Sequence, residues 1–294
     1  MSIWLVLEQW EAWARSGGSF SWESDAVALL WQYDHIYVAA AIAYIPVVFG
    51  LQAYMADRPP LSLKPLLIMW NFVLAIFSIV AAVQLIPILL MLLLRDGFLN
   101  SVCETAHYDL PSSWWVYLFG LSKIAEFVDT ILLALRKKPI ILLHWYHHIC
   151  THLFTWLWQV TTYKTNGSGY WFATMNVAVH SFMYTYYGLT AMGHYRTMAK
   201  LKLNMVLTLT QLTQMVMGIV VLFAMRSCPS VQPWSFYIGL GMYFSYFLLF
   251  AKLFLDKYIS PPPKRSLRRA SQETQDPIVL AASPTSPIAR IKTD

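Results

Sequence analysis

The chain has 294 residues, of which 57% are hydrophobic and only 12% are charged, and its mean hydropathy is +0.49. Because soluble domains carry about 25% charged residues, this composition excludes an ordinary soluble enzyme and predicts a polytopic membrane protein. The net charge of +6 does not indicate nucleic-acid binding, because the basic residues fall in loops and in the tail.

The first 32 residues are polar and rich in tryptophan, which predicts a short interfacial helix followed by a loop. Seven apolar stretches follow, each long enough to cross a bilayer. We therefore expect an all-α membrane protein with seven transmembrane helices, in which Pro46 and Pro87 kink or loosen the first two. The predicted spans lie near residues 33–55, 66–94, 112–135, 139–161, 170–191, 204–225 and 234–256.

Most of the 21 Lys and Arg residues fall on one side of the predicted membrane domain. This positive-inside asymmetry predicts a lumenal N-terminus and a cytosolic C-terminus. The chain then divides into a lumenal or interfacial segment over residues 1–32, a membrane domain over 33–258 and a basic cytosolic tail over 259–294. The tail is rich in Pro, Ser and Arg, which predicts disorder.

Two of the cysteines fall in predicted lumenal loops, Cys103 after the second span and Cys228 after the sixth. Disulfides persist on that side of the membrane, so we predict that these two form one, the alternative being two free thiols. Cys150 lies inside the fourth span, where packing is its expected role. Residues 166–168 form a glycosylation sequon, but the short, membrane-proximal loop disfavours its use.

The most informative stretch is His144-Trp145-Tyr146-His147-His148, which lies inside the otherwise apolar fourth span. Three imidazoles at positions i, i+3 and i+4 of a helix share one face about 100° wide and therefore point into one space. Ionisable residues at membrane depth are costly, and they indicate a functional site.

Polar residues in the third and sixth spans follow helical spacing as well. Lys123, Glu126 and Asp129 recur every three residues and form a stripe on one helix face. The stripe fits an internal ion-pair network that fixes helix packing, or a role in binding substrate. The amides of Gln211 and Gln214 can bridge helices or hold a substrate carbonyl, and the sequence does not separate these roles.

The fifth span carries Asn176, His180 and Tyr184 at intervals of four residues, and Tyr187 returns to the same face. A lone intramembrane histidine is more often a hydrogen-bonding partner than a catalyst. This one accompanies the histidine cluster and a row of phenols, which favours a functional site. His152, one turn beyond the cluster, either extends the polar arc or simply ends it.

Two kinds of chemistry fit the histidine cluster. Membrane desaturases and hydroxylases hold two irons in several histidine boxes, but this chain has one box; a single zinc held by the cluster and His180 is a further alternative. Metal-free acyl chemistry is the other interpretation, because neutral imidazole is both a nucleophile toward thioesters and a general base.

Four segments, in chain order KIAEFVDT, HWYHH, NVAVHSFMYTYY and TLTQLTQ, resemble the signature boxes of the ELO family, the elongases of very-long-chain fatty acids. The resemblance runs from about residue 30 to residue 260. Trp145, directly after the first histidine, resembles the subtype that elongates saturated and monounsaturated acyl-CoAs. Residues 138–141 lack the upstream glutamine that is frequent in the polyunsaturated subtype.

The resemblance implies a seven-helix enzyme of the endoplasmic reticulum membrane with a narrow acyl-CoA tunnel. Such enzymes condense acyl-CoA with malonyl-CoA and release CO₂, CoA and a 3-oxoacyl-CoA two carbons longer, with no metal or other cofactor. The implied partners are the membrane lipid and the reductase, dehydratase and enoyl-CoA reductase that complete the elongation cycle. The resemblance also allows a homodimer.

Residue roles follow from the same resemblance. His147 is the candidate nucleophile that forms an acyl-imidazole, and malonyl-CoA is expected to react near His180. His144 and His148 are expected to orient His147 or to exchange protons with it. The candidate substrate-binding residues are Lys123, Glu126, Asp129, Arg136, Lys137, Asn176, Tyr184, Tyr187, Gln211 and Gln214.

Basic residues of this set, Lys123, Arg136 and Lys137, are expected at a cytosolic mouth that receives the CoA phosphates. At the closed lumenal end, side chains of the sixth and seventh spans are expected to set chain length. Direct attack without an acyl-enzyme remains open. Two other functions compete, a metal-dependent membrane lipid oxidase and a non-enzymatic seven-span transporter or receptor.

Overall fold

The computed structural model describes residue 28 and residues 32–105, 111–161, 165–229 and 231–259. Within these ranges all regular secondary structure is helical, as the sequence predicted. The predicted N-terminal interfacial helix and the basic tail lie outside the described residues. The α-helices are α1 Asp34–Met55, α2 Lys64–Cys103, α3 Trp114–Ala125, α4 Phe127–Leu135, α5 Leu142–Thr161, α6 Ser168–Leu189, α7 Tyr195–Lys200, α8 Leu203–Met225 and α9 Pro233–Phe254.

Four of these helices, α1, α2, α8 and α9 with its π-helical extension to Ile259, are long and apolar enough to cross a membrane. The chain is therefore a multi-pass membrane protein. Helices α5 and α6 have comparable lengths of 20 and 22 residues. They are less apolar, because they contain the histidine, amide and hydroxyl side chains that the sequence analysis singled out. The histidine-bearing helices are thus less apolar than the four helices that meet the length and hydropathy of a membrane span.

Helix α2 extends further than predicted, to Cys103 rather than to about residue 94. Its backbone leaves helical geometry at Gly97, whose φ of 76° is accessible to glycine without steric cost. Pro46 and Pro87 both lie within continuous helix. The interruption of α2 therefore occurs at a glycine and not at the proline that the sequence suggested.

The predicted third span is divided into α3 and α4 by a turn at Glu126. The Glu126 N–H still donates to the Ser122 carbonyl at 2.8 Å, but the Asp129 N–H donates to the Glu126 carbonyl at 3.0 Å. This shorter i to i−3 bond tightens the backbone within the polar stripe of Lys123, Glu126 and Asp129. The break therefore falls where the third span carries its charges.

Helix α6 packs most extensively against α2 and also packs against α8, while α8 packs against α9. Helix α5 lies against α3, α9 and α1. Close approach at two of these interfaces depends on glycine, because Gly188 lies against the Phe72 ring and Gly218 against the Tyr243 ring. Surrounded in this way, α5 and α6 direct their polar residues into the protein.

At one end of the bundle, a disulfide joins Cys103 at the end of α2 to Cys228 after α8, the pair that the sequence analysis selected. The Gly167 N–H donates to the Val102 carbonyl at 2.7 Å, which fixes the start of α6 beside the disulfide. Asn166 is fully buried, and its carbonyl oxygen accepts hydrogen bonds from Ser168. The sequon therefore closes a turn before α6, and its amide is not accessible for glycosylation in the folded protein.

The opposite end of the bundle joins the loop after α1 to the loop after α4. The Lys137 ammonium donates to the carbonyls of Ala56 and Arg58 at 2.7 and 3.1 Å, and the Leu61 N–H donates to the Leu135 carbonyl at 3.1 Å. These bonds hold the end of α1 against the end of α4, and the two helices also pack against each other directly.

The disulfide makes a simple prediction for thiol labelling. Because Cys103 and Cys228 are bonded and Cys150 is free, denatured protein should react with one PEG-maleimide before reduction. After reduction all three cysteines of the chain should react. The measurement is the stepwise mobility shift on a denaturing gel. The Cys150→Ala control should carry no label before reduction and two labels after it. Three labels on the native protein without reduction would contradict the disulfide.

Candidate active site

A cavity inside the bundle is lined by most of the residues that the sequence analysis proposed. Helices α5 and α6 supply most of the lining, polar residues of the turn at Glu126, of α4 and of α8 add to it, and Phe250 and Leu253 of α9 contribute apolar surface. The polar lining residues are Glu126, Asp129, His144, His147, His148, Asn176, His180, Tyr184, Tyr187, Gln211 and Gln214. The helical spacing of each motif explains this convergence, because each set occupies one helix face.

The three histidines of α5 lie side by side on the cavity wall. The ring centroids of His144 and His148 are 4.5 Å apart, and those of His147 and His148 are 5.5 Å apart. The His144 Nε2 lies 3.0 Å from the Thr130 hydroxyl, which lies 2.9 Å from the Tyr44 hydroxyl. This chain of hydrogen bonds fixes the orientation of the His144 ring from outside the cavity.

His147 is held from the side of α9 by Tyr246. The Tyr246 hydroxyl donates to the His147 carbonyl at 3.1 Å and lies 2.9 Å from the Thr151 hydroxyl. The two rings are also close, with centroids 5.0 Å apart. Tyr246 therefore fixes both the backbone and the ring of the central histidine.

On α6, His180 belongs to a buried charged network. Its Nδ1 is 3.5 Å from a Glu126 oxygen, and the same carboxylate pairs with the Lys123 ammonium at 2.6 Å. Lys123 also donates to the Asn176 carbonyl oxygen at 2.9 Å. Lys123 and Glu126 expose only 2% and 3% of their side chains, so each charge depends on the other for compensation.

Asp129, one turn after Glu126, has neutral partners instead. One carboxyl oxygen accepts from the Trp70 indole N–H at 2.7 Å and the other from the Tyr184 hydroxyl at 2.9 Å. The Tyr184 ring stands perpendicular to the His180 ring, with centroids 5.3 Å apart. Asp129 therefore ties α4 to α2 and α6 behind the cavity wall.

None of the three basic residues that were expected at a CoA-binding mouth lines the cavity. Lys123 is buried in the ion pair with Glu126, so its ammonium is not available to a phosphate at the surface. Arg136 and Lys137 do not line the cavity, and Lys137 caps carbonyls at the end of α1. Sequence position placed these charges near one end of the third span, but it did not specify the directions of their side chains.

His152 faces away from the cavity. Its Nε2 lies 2.9 Å from the Tyr37 carbonyl oxygen, and its ring stacks on the Tyr37 ring with centroids 5.7 Å apart. This position resolves the two alternatives left by the sequence: His152 joins α5 to α1 and does not extend the histidine cluster.

A second, more apolar cavity continues from the first. Both are lined by His147, Asn176, Gln214 and Met215, so they meet at the central histidine. The remaining walls of the second cavity are mainly aromatic and aliphatic, with contributions from Val116, Phe119, Phe154, Trp158, Phe172, Met242 and Tyr243. The two cavities together offer a polar chamber followed by an apolar chamber.

Sequence reasoning missed four residues that orient the site: Tyr44, Trp70, Thr130 and Tyr246. Thr130 is the last residue of the KIAEFVDT segment, and its place beside the acidic stripe was an available signal. The other three are aromatic residues in apolar helices, where nothing in the local pattern distinguishes them from membrane-facing aromatics. Across the described ranges, no group of three or more His, Cys, Asp and Glu side chains is arranged to hold a metal ion.

Comparison with known proteins gives a consistent result. A family model described as ELO: GNS1/SUR4 family matches residues 29–266. Fatty acid elongase 3 of Trypanosoma brucei brucei is 36% identical over 279 residues, covering 83% of this chain and 91% of that protein. Very long chain fatty acid elongase 6 of Gallus gallus is 39% identical over 242 residues, covering 80% and 87%. The Drosophila melanogaster protein of the same name is 37% identical over 251 residues, covering 82% and 77%.

The buried ion pair makes a prediction about stability. Lys123→Met leaves the Glu126 carboxylate buried without its main partner, and we expect a loss of roughly 3–5 kcal/mol. The double variant Lys123→Met, Glu126→Leu should recover a large part of this loss, because it leaves no unpaired charge. The measurement is thermal unfolding in detergent, followed by size-exclusion chromatography of the surviving protein. It ranks the native protein, the single variant and the double variant by stability.

The exposed pair Lys252 and Asp256, 2.8 Å apart, provides the matched control. Lys252→Met should cost only about 0–1 kcal/mol, as exposed ion pairs do. Equal losses for Lys123→Met and Lys252→Met would contradict a role for charge compensation inside the bundle.

Proposed function

This chain belongs to the ELO family, and on that premise we propose how its histidine-lined cavity carries out the family's reaction. The chain is a condensing enzyme of very-long-chain fatty acid elongation, an acyltransferase that acts on acyl-CoA substrates. The reaction joins acyl-CoA and malonyl-CoA into a 3-oxoacyl-CoA two carbons longer, with release of CO₂ and CoA. One observation carries the mechanism: His147 and His180 line the same polar chamber, and His147 also lines the apolar chamber that adjoins it.

In the first half-reaction, a neutral His147 ring nitrogen attacks the thioester carbonyl of acyl-CoA. The bond to sulfur breaks and CoA leaves, so that the acyl group is attached to the imidazole. CoA leaves as its thiolate, and His148, whose ring centroid is 5.5 Å from that of His147, accepts the proton that His147 loses and returns it when the ring nitrogen is released in the second half-reaction. His144 orients His148 for this exchange. The acyl chain extends into the apolar chamber, where its burial opposes loss of the intermediate to water.

In the second half-reaction, malonyl-CoA occupies the polar chamber beside His180. Loss of CO₂ leaves its electron pair on the α-carbon, which attacks the acyl carbon and breaks the bond to His147. The enolate oxygen that develops during decarboxylation needs a nearby donor, and His180 and the Asn176 amide face this space. The Glu126 and Lys123 network orients both groups, and Tyr184, Tyr187, Gln211 and Gln214 contribute further polar contacts to the CoA thioesters.

We propose seven spans for the membrane topology, with the third formed by α3 and α4 together. Helices α5 and α6 are 20 and 22 residues long, or about 30 Å, which matches the bilayer core. Polar residues on these helices face the cavity and not lipid, which reconciles their composition with a transmembrane position. The basic end of the bundle that contains Lys137 then faces the cytosol and the disulfide faces the lumen, in the endoplasmic reticulum membrane.

The proposed substrates are saturated and monounsaturated acyl-CoAs, which Trp145 in the histidine box supports by resemblance. The 3-oxo product must be reduced, dehydrated and reduced again to yield a saturated chain. A 3-oxoacyl-CoA reductase, a 3-hydroxyacyl-CoA dehydratase and an enoyl-CoA reductase are therefore the proposed partners. No metal or redox cofactor is proposed, because imidazole chemistry accounts for each bond that forms or breaks.

The central test separates the two half-reactions. His147→Ala should lower incorporation of labelled malonyl-CoA into acyl chains by on the order of 10³-fold or more, because no nucleophile replaces the imidazole. His180→Ala should also stop elongation, yet acyl-CoA alone should still release one equivalent of CoA and add one acyl group to the protein. Intact-protein mass spectrometry and thiol release measure these outcomes.

The exposed His194 supplies the control, and His194→Ala should elongate as the native protein does. Direct attack without an acyl-enzyme requires that neither His180→Ala nor the native protein ever carries an acyl group. No malonyl incorporation by folded native protein, across saturated and unsaturated acyl-CoAs, would contradict the elongase function and favour the oxidase or transporter alternatives.

The hydrogen bonds behind His144 make a second kinetic prediction. Thr130→Val removes the hydroxyl that holds the His144 ring, and we expect kcat to fall about tenfold, the equivalent of one hydrogen bond of about 1.4 kcal/mol. KM for acyl-CoA should change little, because Thr130 lies behind His144 and does not line the cavity. Thr130→Ser should restore the rate, whereas equal defects in both variants would indicate a packing role only.

A further inference from the structure

One face of α5 lines the apolar chamber. His147, Thr151, Thr155 and Trp158 all border the chamber and recur at intervals of four, four and three residues. This is the spacing of a single helix face, so the stripe runs parallel to the chamber. His147 lies at the end shared with the polar chamber, and Trp158 lies at the far end of the stripe.

The stripe has a definite length. His147 and Trp158 are eleven positions apart in the sequence, which corresponds to about 16 Å along a helix at 1.5 Å per residue. An extended hydrocarbon advances about 1.3 Å per carbon, because its bonds of roughly 1.5 Å alternate in direction. The distance therefore holds roughly a dozen carbons beyond the reacting carbonyl.

Trp158 is backed by a fixed part of the structure. Its side chain is 5% exposed, and its indole ring occupies the space that a Cβ atom on Gly169 would need. Gly169 begins α6, where the Gly167 N–H bonds to the Val102 carbonyl beside the disulfide of Cys103. The ring therefore rests on anchored backbone and has little freedom to retreat before a longer chain.

The neighbouring aromatic residues form walls and not the end. The Phe172 ring lies between the rings of Phe154 and Tyr243, with centroids 6.1 and 5.2 Å away. Tyr243 packs against Gly218 of α8. Helices α8 and α9 thus border the sides of the chamber, and its closure by α5 and α6 is an alternative to the expectation that spans six and seven close it.

We infer, on the premise of the proposed function, that Trp158 seated on Gly169 is the residue that determines the longest acyl chain this enzyme accepts. The preferred substrates are then acyl-CoAs of roughly 12 to 16 carbons, whose terminal methyl group reaches the indole ring. Longer chains are rejected because the anchored ring leaves no space for further methylenes.

The role of Trp158 is tested by measuring elongation with purified protein. The substrates are saturated acyl-CoAs of even length, from roughly ten to twenty-two carbons. Trp158→Ala should move the preferred length up by at least two carbons. The ratio of kcat/KM for long over short chains should rise on the order of tenfold or more, the usual effect of a methylene in a hydrophobic pocket. Thr155→Leu, which adds volume closer to His147, should move the preference in the opposite direction.

Trp156 provides the matched control, because it is an indole on the same helix that packs in the core without lining either cavity. Trp156→Ala should elongate with the native length profile. A native profile in active Trp158→Ala and Thr155→Leu would overturn the inference, as would an equal shift in Trp156→Ala.

A binding readout keeps this inference separate from the proposed reaction. Acyl-CoA probes with a diazirine at the methyl end should crosslink to Trp158 when the chain has roughly 12 to 16 carbons, as peptide mass spectrometry would show. Crosslinking at Trp158 without elongation would contradict the elongase function and support Trp158 as the end of the apolar chamber. Elongation with crosslinks that avoid Trp158 at every length would overturn the inference and leave the function standing.

Discussion

Charge compensation inside the membrane domain is the constraint on which the rest of this structure depends. Lys123 and Glu126 are almost completely buried, and either charge alone would be strongly destabilising in such surroundings. They pair at 2.6 Å, and each also contacts α6, Lys123 through Asn176 and Glu126 through His180. The same ion pair that makes the charges tolerable therefore joins α3 to α6 and orients one wall of the cavity.

The position of His147 between two unlike chambers explains how one site can handle an amphiphilic substrate. The polar chamber suits thioesters and a developing enolate, whereas the aromatic chamber suits only hydrocarbon. Under the proposed function, an acyl-CoA satisfies both environments with its carbonyl at His147 and its chain in the apolar chamber. Orientation of the substrate thus follows from burial of apolar surface, before any specific contact is considered.

Local patterns predicted those features that depend on residues close in sequence. The spacing of His144, His147 and His148 predicted that they share a face, and they line one cavity. The sequence did not reveal the turn at Glu126, because polar residues at helical spacing read as one continuous helix. It also ended the second span near residue 94, so the continuation of α2 through Gly97 to Cys103 was missed. It gave no sign that Lys137 would donate to carbonyls at the end of α1, since position along a span does not determine which partner a long side chain reaches.

The sequence by itself determined the helical, membrane-embedded class, the ELO resemblance and most of the polar residues that line the cavity, because composition and helical periodicity are local properties. Only the tertiary structure decided which groups meet. The hydroxyls of Tyr44 and Thr130 behind His144, Tyr246 against His147 and Trp158 on Gly169 all join residues from different helices. Such contacts depend on how the helices pack, and no pattern within one helix specifies its neighbour.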